Sequence, residues 1–501
     1  MCGIWGITTG YEYKKAIFAE KQLKNRGPDY SGFYFDDNIS LVHTRLSIID
    51  LSEKSNQPFK SSKTIISFNG EIYNYKKIKK ELINKHKYKF KTTGDTEVIV
   101  ALYETLGIDG FKKLNGMFAF IIYDKLKNKT YFLRDPTGIK PLYYYKHKHG
   151  IIEASSLMSA MSIKKETNLD ALNELLSLGY SRVSLYKNYE EFEPGIIYDE
   201  NLKKTKIKFI TTKKTFKKSI IEHFLTSDVP VGITLSGGID SSYITYICSK
   251  IKRIHTFTIG FDKNEPDIIA SRNLAKKLKT IHHEIILNKQ KALKEYKKAI
   301  DILEIPMDMG STLQTYLLGR EIKKFGIKVI LIGEGSDEIN GGYRRHQEVL
   351  FKEFNKNPLK FYKNRIIKFN KKNRNEILNH NFKKDININL NKKLGLNAIL
   401  DWDLNNEIRF YHLKRIDHII SNFGIEARVP YLDYSCIKSC MEMDYLKKVK
   451  LNRNKIILRN EAKKEGLFNE YVEMPKRPLK IFKDMRDIIE KNVRSFLYEK
   501  K

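Results

Sequence analysis

Two hydrophobic rhythms divide this 501-residue chain. Up to about residue 200, apolar residues come in short runs such as Ile65-Ile66-Ser67-Phe68 and Met117-Phe118-Ala119-Phe120-Ile121-Ile122-Tyr123. Polar clusters, Gly and Pro break the runs, so they predict strands separated by turns. Helical spacing intrudes at residues 98–106 and 168–178. From about residue 212 the rhythm becomes strand, helix, strand. Val231-Gly232-Ile233-Thr234-Leu235 is one apolar run, followed by a helical stretch at 243–247. Further strands are predicted at 255–261, 283–287 and 328–333, with a helix over 265–278. Such alternation predicts a parallel α/β sheet. The chain thus reads as two domains, 2–200 and 212–490, joined by a solvated, lysine-rich linker at 201–211. Residues 352–393, dense in Asn and Lys, read either as disordered or as a mobile surface insertion, with periodic Phe and Ile favouring some helical packing.

Composition narrows the class. The chain is 41% apolar and 30% charged, in keeping with a globular protein. No run approaches the ~18 apolar residues that span a bilayer, and the N-terminus lacks a signal-peptide pattern. A cytoplasmic protein with no membrane partner is expected. Cys2, Cys248, Cys436 and Cys440 have neither disulfide-framework nor zinc-site spacing. The formal net charge of +33 comes from lysines spread through the chain beside many Asn and Ile. Without a nucleic-acid motif or interleaved aromatics, it reads as compositional bias, and no nucleic-acid partner is expected.

Three stretches carry candidate chemistry. Leu235-Ser236-Gly237-Gly238-Ile239-Asp240-Ser241-Ser242 lies between a predicted strand and a helix. Unpaired N–H groups and the helix dipole make that position an anion site, and Gly237 and Gly238 allow close backbone approach. The spacing is not that of a Walker A loop; the stretch resembles the pyrophosphate loop of enzymes that split ATP into AMP and pyrophosphate. The strand at 328–333 ends in Gly333-Glu334-Gly335-Ser336-Asp337-Glu338. In open α/β sheets, ligands sit at such strand ends. Asp240 and Asp337 are therefore candidate Mg²⁺ ligands, since Mg²⁺ takes carboxylates together with phosphate oxygens; the alternative is that Asp337 caps a helix. Third, Met1-Cys2-Gly3 permits removal of Met1. Cys2 would then carry a thiol (pKa ~8.5) and an α-amine (~8) that acts as its base. On position alone, a cysteine buried in a first strand is the competing reading.

Arg26-Gly27-Pro28-Asp29, Arg45-Leu46-Ser47-Ile48-Ile49-Asp50, Asn69-Gly70-Glu71-Ile72-Tyr73-Asn74 and Thr93-Gly94-Asp95-Thr96-Glu97 follow in order. Singly they are turns and strand ends, with Asn69-Gly70 a hairpin and Asp95 a helix N-cap. Together with Cys2-Gly3-Ile4 they resemble the glutaminase domain of class II glutamine amidotransferases, specifically that of glutamine-dependent asparagine synthetases. The resemblance implies an α+β sandwich of antiparallel sheets, of N-terminal nucleophile hydrolase type. It implies that Cys2 is the nucleophile, that Asn69 and Gly70 form an oxyanion hole, and that Arg45 holds the glutamine α-carboxylate. It also puts Asp95 and Glu71 on the α-ammonium, with Leu46, Ser47, Ile48 and Ile49 completing the glutamine site. The stretch Arg134-Asp135-Pro136-Thr137-Gly138-Ile139-Lys140-Pro141 also matches, and reads as core and turn.

The second half resembles the same family's PP-loop ATP pyrophosphatase domain. The match rests on the 235–242 loop, on Gly333 and the residues up to Tyr343, on Glu426-Ala427-Arg428-Val429-Pro430, and on Lys455-Ile456-Ile457-Leu458-Arg459. It implies ATP contacts from Leu235, Ser236, Gly237, Gly238, Asp240, Ser241, Ser242, Ile259, Ile332 and Gly333. Ile332 departs from the Ser often found there. Glu334 is implied near an acyl-adenylate and Lys455 near the ATP phosphates, both as catalytic groups. Asp308 is a weaker candidate, a helix start after Pro306 being the equal alternative. Glu426 and Arg428 share one strand face, and an ion pair is favoured over substrate contact. The expected activity is ATP-, Mg²⁺- and glutamine-dependent amidation of aspartate, with another carboxylate such as a sugar uronic acid as the alternative. Pro475-Lys476-Arg477-Pro478-Leu479 prompts that alternative. It is closer to the ending of a bacterial subgroup that includes enzymes assigned to amidating sugar acids. The expected partners are glutamine, ATP and the acceptor acid; a homodimer is left open.

Overall fold

In the computed structural model, residues 1–305, 311–351, 357–383, 385–475 and 493 are described. Asp308 and the residues 476–479 of the C-terminal motif lie outside them. The first half is built on strands β1 (Gly3–Ile7), β2 (Tyr30–Phe35), β3 (Ser40–Arg45), β4 (Phe59–Lys60), β5 (Thr64–Ile72) and β6 (Gly116–Asp124). It continues with β7 (Lys129–Arg134), β8 (Tyr143–Lys146), β9 (Ile152–Ser155), β10 (Tyr189–Glu191), β11 (Ile196–Asp199) and β12 (Lys204–Lys206). They form two antiparallel sheets, in the orders β10-β8-β9-β1-β3-β2 and β12-β11-β7-β6-β5-β4.

Alternation along β6 explains the layering. Ala119, Ile121 and Tyr123 face the space between the sheets, with Ile4, Leu41, Phe132 and Tyr144. Phe118, Phe120 and Ile122 face the other way, onto the helix Thr96–Leu106. A strand buried on both faces belongs in the middle of a sandwich with helices outside it.

Residues from about 212 form a five-stranded parallel sheet. Its strands are β13 (Val231–Thr234), β14 (His255–Gly260), β15 (Ile281–Ile286), β16 (Val329–Leu331) and β17 (Glu426–Arg428), in the order β15-β14-β13-β16-β17. The chain winds outward from β13 through β14 to β15, then returns to place β16 on the other side of β13. That reversal opens a crevice between the carboxyl ends of β13 and β16, the usual ligand position in such sheets.

One local expectation changes, and two other stretches gain detail. Asn69-Gly70 is no hairpin: both residues lie inside β5, paired with Ala119 and Phe118. The lysine-rich stretch has exposed basic side chains and is also tied down: Lys204–Lys206 pairs with β11, and the following Ile207 and Phe209 are buried. The 352–393 segment contains helices Pro358–Ile366 and Lys371–Leu378, seated by Tyr362, Ile366, Ile377 and Leu378. Among the described residues no helix is long and apolar enough to cross a membrane.

Candidate active sites

The first cluster surrounds Cys2. Its backbone N–H donates to Asn69 Oδ1 at 3.1 Å, and its Sγ lies 3.9 Å from the Leu46 carbonyl oxygen. Burial pushes the thiol pKa above its ordinary value. Asn69 Nδ2 is buried without a hydrogen-bond partner. Its neighbour Gly70 has φ +143°, and a Cβ there would fall 2.0 Å from the Met117 carbonyl oxygen. The backbone can take this course only as glycine. Arg45, at the end of β3, donates to the carbonyls of Ile49, Asp50 and Ser52 and to Asn56 Oδ1. The guanidinium thereby curls the segment Leu46-Ser47-Ile48-Ile49 beside Cys2, and the Ser47 N–H donates to Asp29 Oδ2 at 2.7 Å. Asp95 precedes the helix Thr96–Leu106 but does not cap it; its Oδ2 accepts the Ile72 N–H at 2.9 Å. Burial lifts the Asp95 pKa to about 7. Glu71 turns across to the second half of the chain, where its Oε1 meets Arg428 at 3.1 Å. Its Oε2 is buried without a hydrogen-bond partner.

The second cluster fills the crevice at β13 and β16. The Leu235 N–H donates to the Phe257 carbonyl at 2.8 Å, and the Ser236 N–H to Ser241 Oγ at 3.0 Å. Gly237 has φ +75°, and a Cβ would lie 2.7 Å from that of Ala270. The loop is therefore a tight bend leading through Gly238 into the helix Ile239–Ser249, which starts just before Asp240, Ser241 and Ser242. Ile259 lies near the end of the neighbouring β14. After β16, the Ile332 N–H donates to the Arg428 carbonyl at 2.9 Å, and Gly333 packs against Asp240, whose Cβ would be 2.9 Å from an added methyl. Lys455 Nζ sits between Asp240 Oδ2 at 2.5 Å and Asp337 Oδ1 at 2.8 Å. Burial alone would lower the lysine pKa, but the two carboxylates hold it above the ordinary value. Ser336 Oγ donates to Asp240 Oδ1 at 2.6 Å, and the Tyr431 hydroxyl to the Asp240 carbonyl at 2.8 Å.

Among the described residues no cluster of three or more His, Cys, Asp or Glu side chains is suited to a metal. Two carboxylates converging on one point nevertheless fit Mg²⁺, which commonly uses one or two and fills its shell with phosphate oxygens and water. Glu334 lies beside this pair. It is held by His412 Nδ1 at 2.5 Å and Arg415 at 3.0 Å. Burial would raise its pKa, but Arg415 and His412 bring it down to about 2. His412 rises to about 9, because Glu334 outweighs the opposing effect of burial.

Comparison with known proteins bears on both halves. A family profile described as "Glutamine amidotransferase domain" matches residues 1–212, and one described as "Asparagine synthase" matches residues 211–500. Asparagine synthetase B (glutamine-hydrolysing) of Escherichia coli K12 is 31% identical over 472 residues, covering 89% of this chain and 75% of that protein. The chain belongs to the asparagine synthase family. A maize glutamine-hydrolysing asparagine synthetase is 32% identical over 466 residues, covering 89% of this chain and 70% of its own. A Dictyostelium discoideum protein named as a probable glutamine-hydrolysing asparagine synthetase is 34% identical over 383 residues. That match covers 68% of this chain and 65% of the Dictyostelium protein.

In this synthetase-family chain the two clusters are joined by a buried junction that motif reading did not supply. Arg428 contacts Glu71 on one side; on the other, its Nε donates to Glu426 at 2.9 Å and its NH1 to the His223 and Thr226 carbonyls. Lys140 is fully buried, with Nζ 3.8 Å from Glu426. The Met1 side chain fills an apolar space walled by Phe257, Ile330, Ile416, Ile420 and Ala427. His412 and Arg415 belong to no motif in the sequence; they are three apart and so share one helical face.

Proposed function

We propose that this protein makes an amide from a carboxylate, most simply L-asparagine from L-aspartate, using ATP and the amide nitrogen of glutamine. The observation that carries the reading is the pairing, within one chain, of the Cys2–Asn69–Arg45 cluster with the Asp240–Asp337–Lys455 cluster across a buried junction. Removal of Met1 makes Cys2 N an amine beside the thiol, and the amine takes the thiol proton. The thiolate attacks the side-chain amide of glutamine; Arg45, the cation beside this cluster, would take the α-carboxylate by exchanging its bonds to the Ile49, Asp50 and Ser52 carbonyls. The free Asn69 Nδ2 and the Gly70 N–H stabilise the oxyanion. Ammonia leaves, and water releases glutamate from the thioester.

In the second site the acceptor carboxylate attacks the α-phosphate of ATP, giving an acyl-adenylate and pyrophosphate. Lys455 stabilises the charge on the departing pyrophosphate. Asp240 and Asp337 would hold Mg²⁺, which supplies charge neutralisation along the phosphates. Ammonia then attacks the acyl carbon, and AMP leaves. An ammonium ion is not a nucleophile, so a dry path favours the transfer; Met1 packs in an apolar cluster of the synthetase half, and its removal would free that volume next to Cys2. The cytoplasm, with its ATP and glutamine, is the matching compartment.

One observation favours a second acceptor class. Glu334 is already paired with both His412 and Arg415. It has little charge left for the ammonium of an amino acid, which suits a carboxylate without one, such as a sugar uronic acid. AMP release, measured with ATP, Mg²⁺ and glutamine, separates the two. Stimulation by aspartate together with asparagine formation supports the first reading. Its absence, with stimulation by a uronic acid nucleotide sugar, overturns the first and supports the second. Cys2→Ala is expected to abolish glutamine-dependent AMP release and leave ammonia-dependent release intact.

A further inference from the structure

One helix touches the keystone of each site. The helix Leu413–Ser421 immediately precedes β17 in the fold of the synthetase half. At its start, His412 and Arg415 hold Glu334. Arg415 also donates to Ser311 Oγ, so its guanidinium is pinned from two sides. Further along the same helix, Asp417 Oδ2 and Ser421 Oγ receive Arg26 NH1 at 2.7 and 3.0 Å. Arg26 belongs to the glutaminase half, and its Nε donates to the backbone carbonyl of Cys2 at 3.1 Å. The turn that presents Arg26 is docked on the end of this helix as well, through a 3.0 Å hydrogen bond from Asn25 to Asn422. Arg26, Asp417 and Ser421 are all buried. Arg415 and Ser421 are six residues apart, about 9 Å along the helix axis at ~1.5 Å per residue. A helix of that length moves as a rigid unit; its contacts at both ends are charge-assisted, and the Arg26–Asp417 contact is dry.

We propose that Asp417, from the synthetase half, is a positioning residue for the glutaminase nucleophile, and that the Leu413–Ser421 helix couples the two sites by joining Glu334 to Cys2 through Arg415, Asp417 and Arg26. This rests on the assignment of Cys2 as the glutaminase nucleophile. An acceptor that draws Glu334 away from His412 or Arg415 would change the load on this helix. Arg415 and the helix adjust, and Asp417 carries the change to Arg26 and so to the Cys2 backbone. Position matters here: a displacement of about 1 Å at a reacting group costs on the order of 100-fold in rate. Two discrete arrangements of the helix, each favoured by a different occupancy of the acceptor site, would make glutamine hydrolysis respond to the acceptor.

The test compares the wild type with Asp417→Ala, Asp417→Asn (nearly the same shape) and Arg26→Ala. Glutamate release from glutamine is measured with and without ATP, Mg²⁺ and acceptor, and ammonia-dependent AMP release in parallel. In Asp417→Ala, kcat for glutamine hydrolysis is expected to fall about tenfold or more, with KM changed less than about twofold and ammonia-dependent AMP release within about twofold of wild type. ATP, Mg²⁺ and acceptor together are expected to stimulate hydrolysis about fivefold in the wild type and to have no effect in either Asp417 variant. The Arg26→Ala/Asp417→Ala double variant is expected to be no worse than Arg26→Ala alone, since the two residues act in one chain of contacts. An unchanged kcat for hydrolysis in Asp417→Ala overturns the proposal. So does an equal fall in hydrolysis and ammonia-dependent AMP release, which marks a merely structural pair, or stimulation that persists in the variants. If the wild type shows no hydrolysis that Cys2→Ala removes, the nucleophile assignment fails and this proposal fails with it.

Discussion

At the scale of single residues, Asn69 and Gly70 show how one dipeptide carries two kinds of information. Asn-Gly by itself signals a hairpin, yet here it lies inside β5 against β6. What needs the glycine is the Met117 carbonyl, 2.0 Å from where its Cβ would be, together with φ +143°. Gly70→Ala is therefore expected to destabilise the fold by about 1–3 kcal/mol, measured by chemical denaturation. Asn69 has a different task. Its Nδ2 is buried with no partner in the protein, an arrangement that is unfavourable unless a ligand oxygen completes it. Asn69→Ala is expected to lower kcat for glutamine hydrolysis by ~10²–10³ with a small change in KM, read from initial rates of glutamate release. The ordered motifs made both residues visible in the sequence. The strand pairing that gives each its reason did not show there, because it depends on a partner strand some fifty residues away.

At the scale of elements, the site groups stand at the ends of strands and the starts of helices. Lys455 precedes the helix Ile456–Glu465 in a left-handed conformation, and Asp240 and Asp337 lie in the first turns of two other helices. Removing the ammonium takes from Asp240 and Asp337 the buried cation that they share. Lys455→Ala is expected to lose ~3 kcal/mol of stability and, unlike the wild type, to recover part of it when Mg²⁺ is added; thermal melts with and without MgCl2 provide the check. The Glu334–His412 pair sets a pH window. Glu334 is depressed from 4.5 to about 2, so its contribution is complete above 4.5 and is lost as pH falls toward 2. His412 is raised from 6.5 to about 9, so its contribution is complete below 6.5 and is lost as pH rises through 9. The stabilisation from the pair is thus greatest between 4.5 and 6.5. The melting-temperature difference between wild type and His412→Gln is expected to peak there and to vanish above pH 9. Strand–helix alternation made β13, β14 and β16 legible to within a few residues. It missed β12, whose exposed Lys-Thr-Lys carries no apolar residue to set a period.

At the scale of the whole molecule, the two halves share a dry, charged seam. Arg26 with Asp417, and Arg428 with Glu71 and Glu426, cross it or brace it from within. Breaking one partner of such a pair strands the other, at about 3–5 kcal/mol. Arg428→Met is accordingly expected to lower the stability of both halves together, giving one shifted unfolding transition in calorimetry instead of two separate ones. Much of this protein was determined by its sequence alone: two fold types, a cysteine at the head of one and a phosphate loop in the other, and the order of the motifs. Those features are local, written in hydrophobic period, glycine placement and the spacing of polar groups. Tertiary structure alone decided that Glu71 faces Arg428, that Lys455 stands between Asp240 and Asp337, and that a single helix reaches from Glu334 to the residue that holds Cys2. These contacts join residues up to 391 positions apart. No local pattern encodes such a pairing; it exists only once burial has removed water and left each charge with only its packed neighbours within reach.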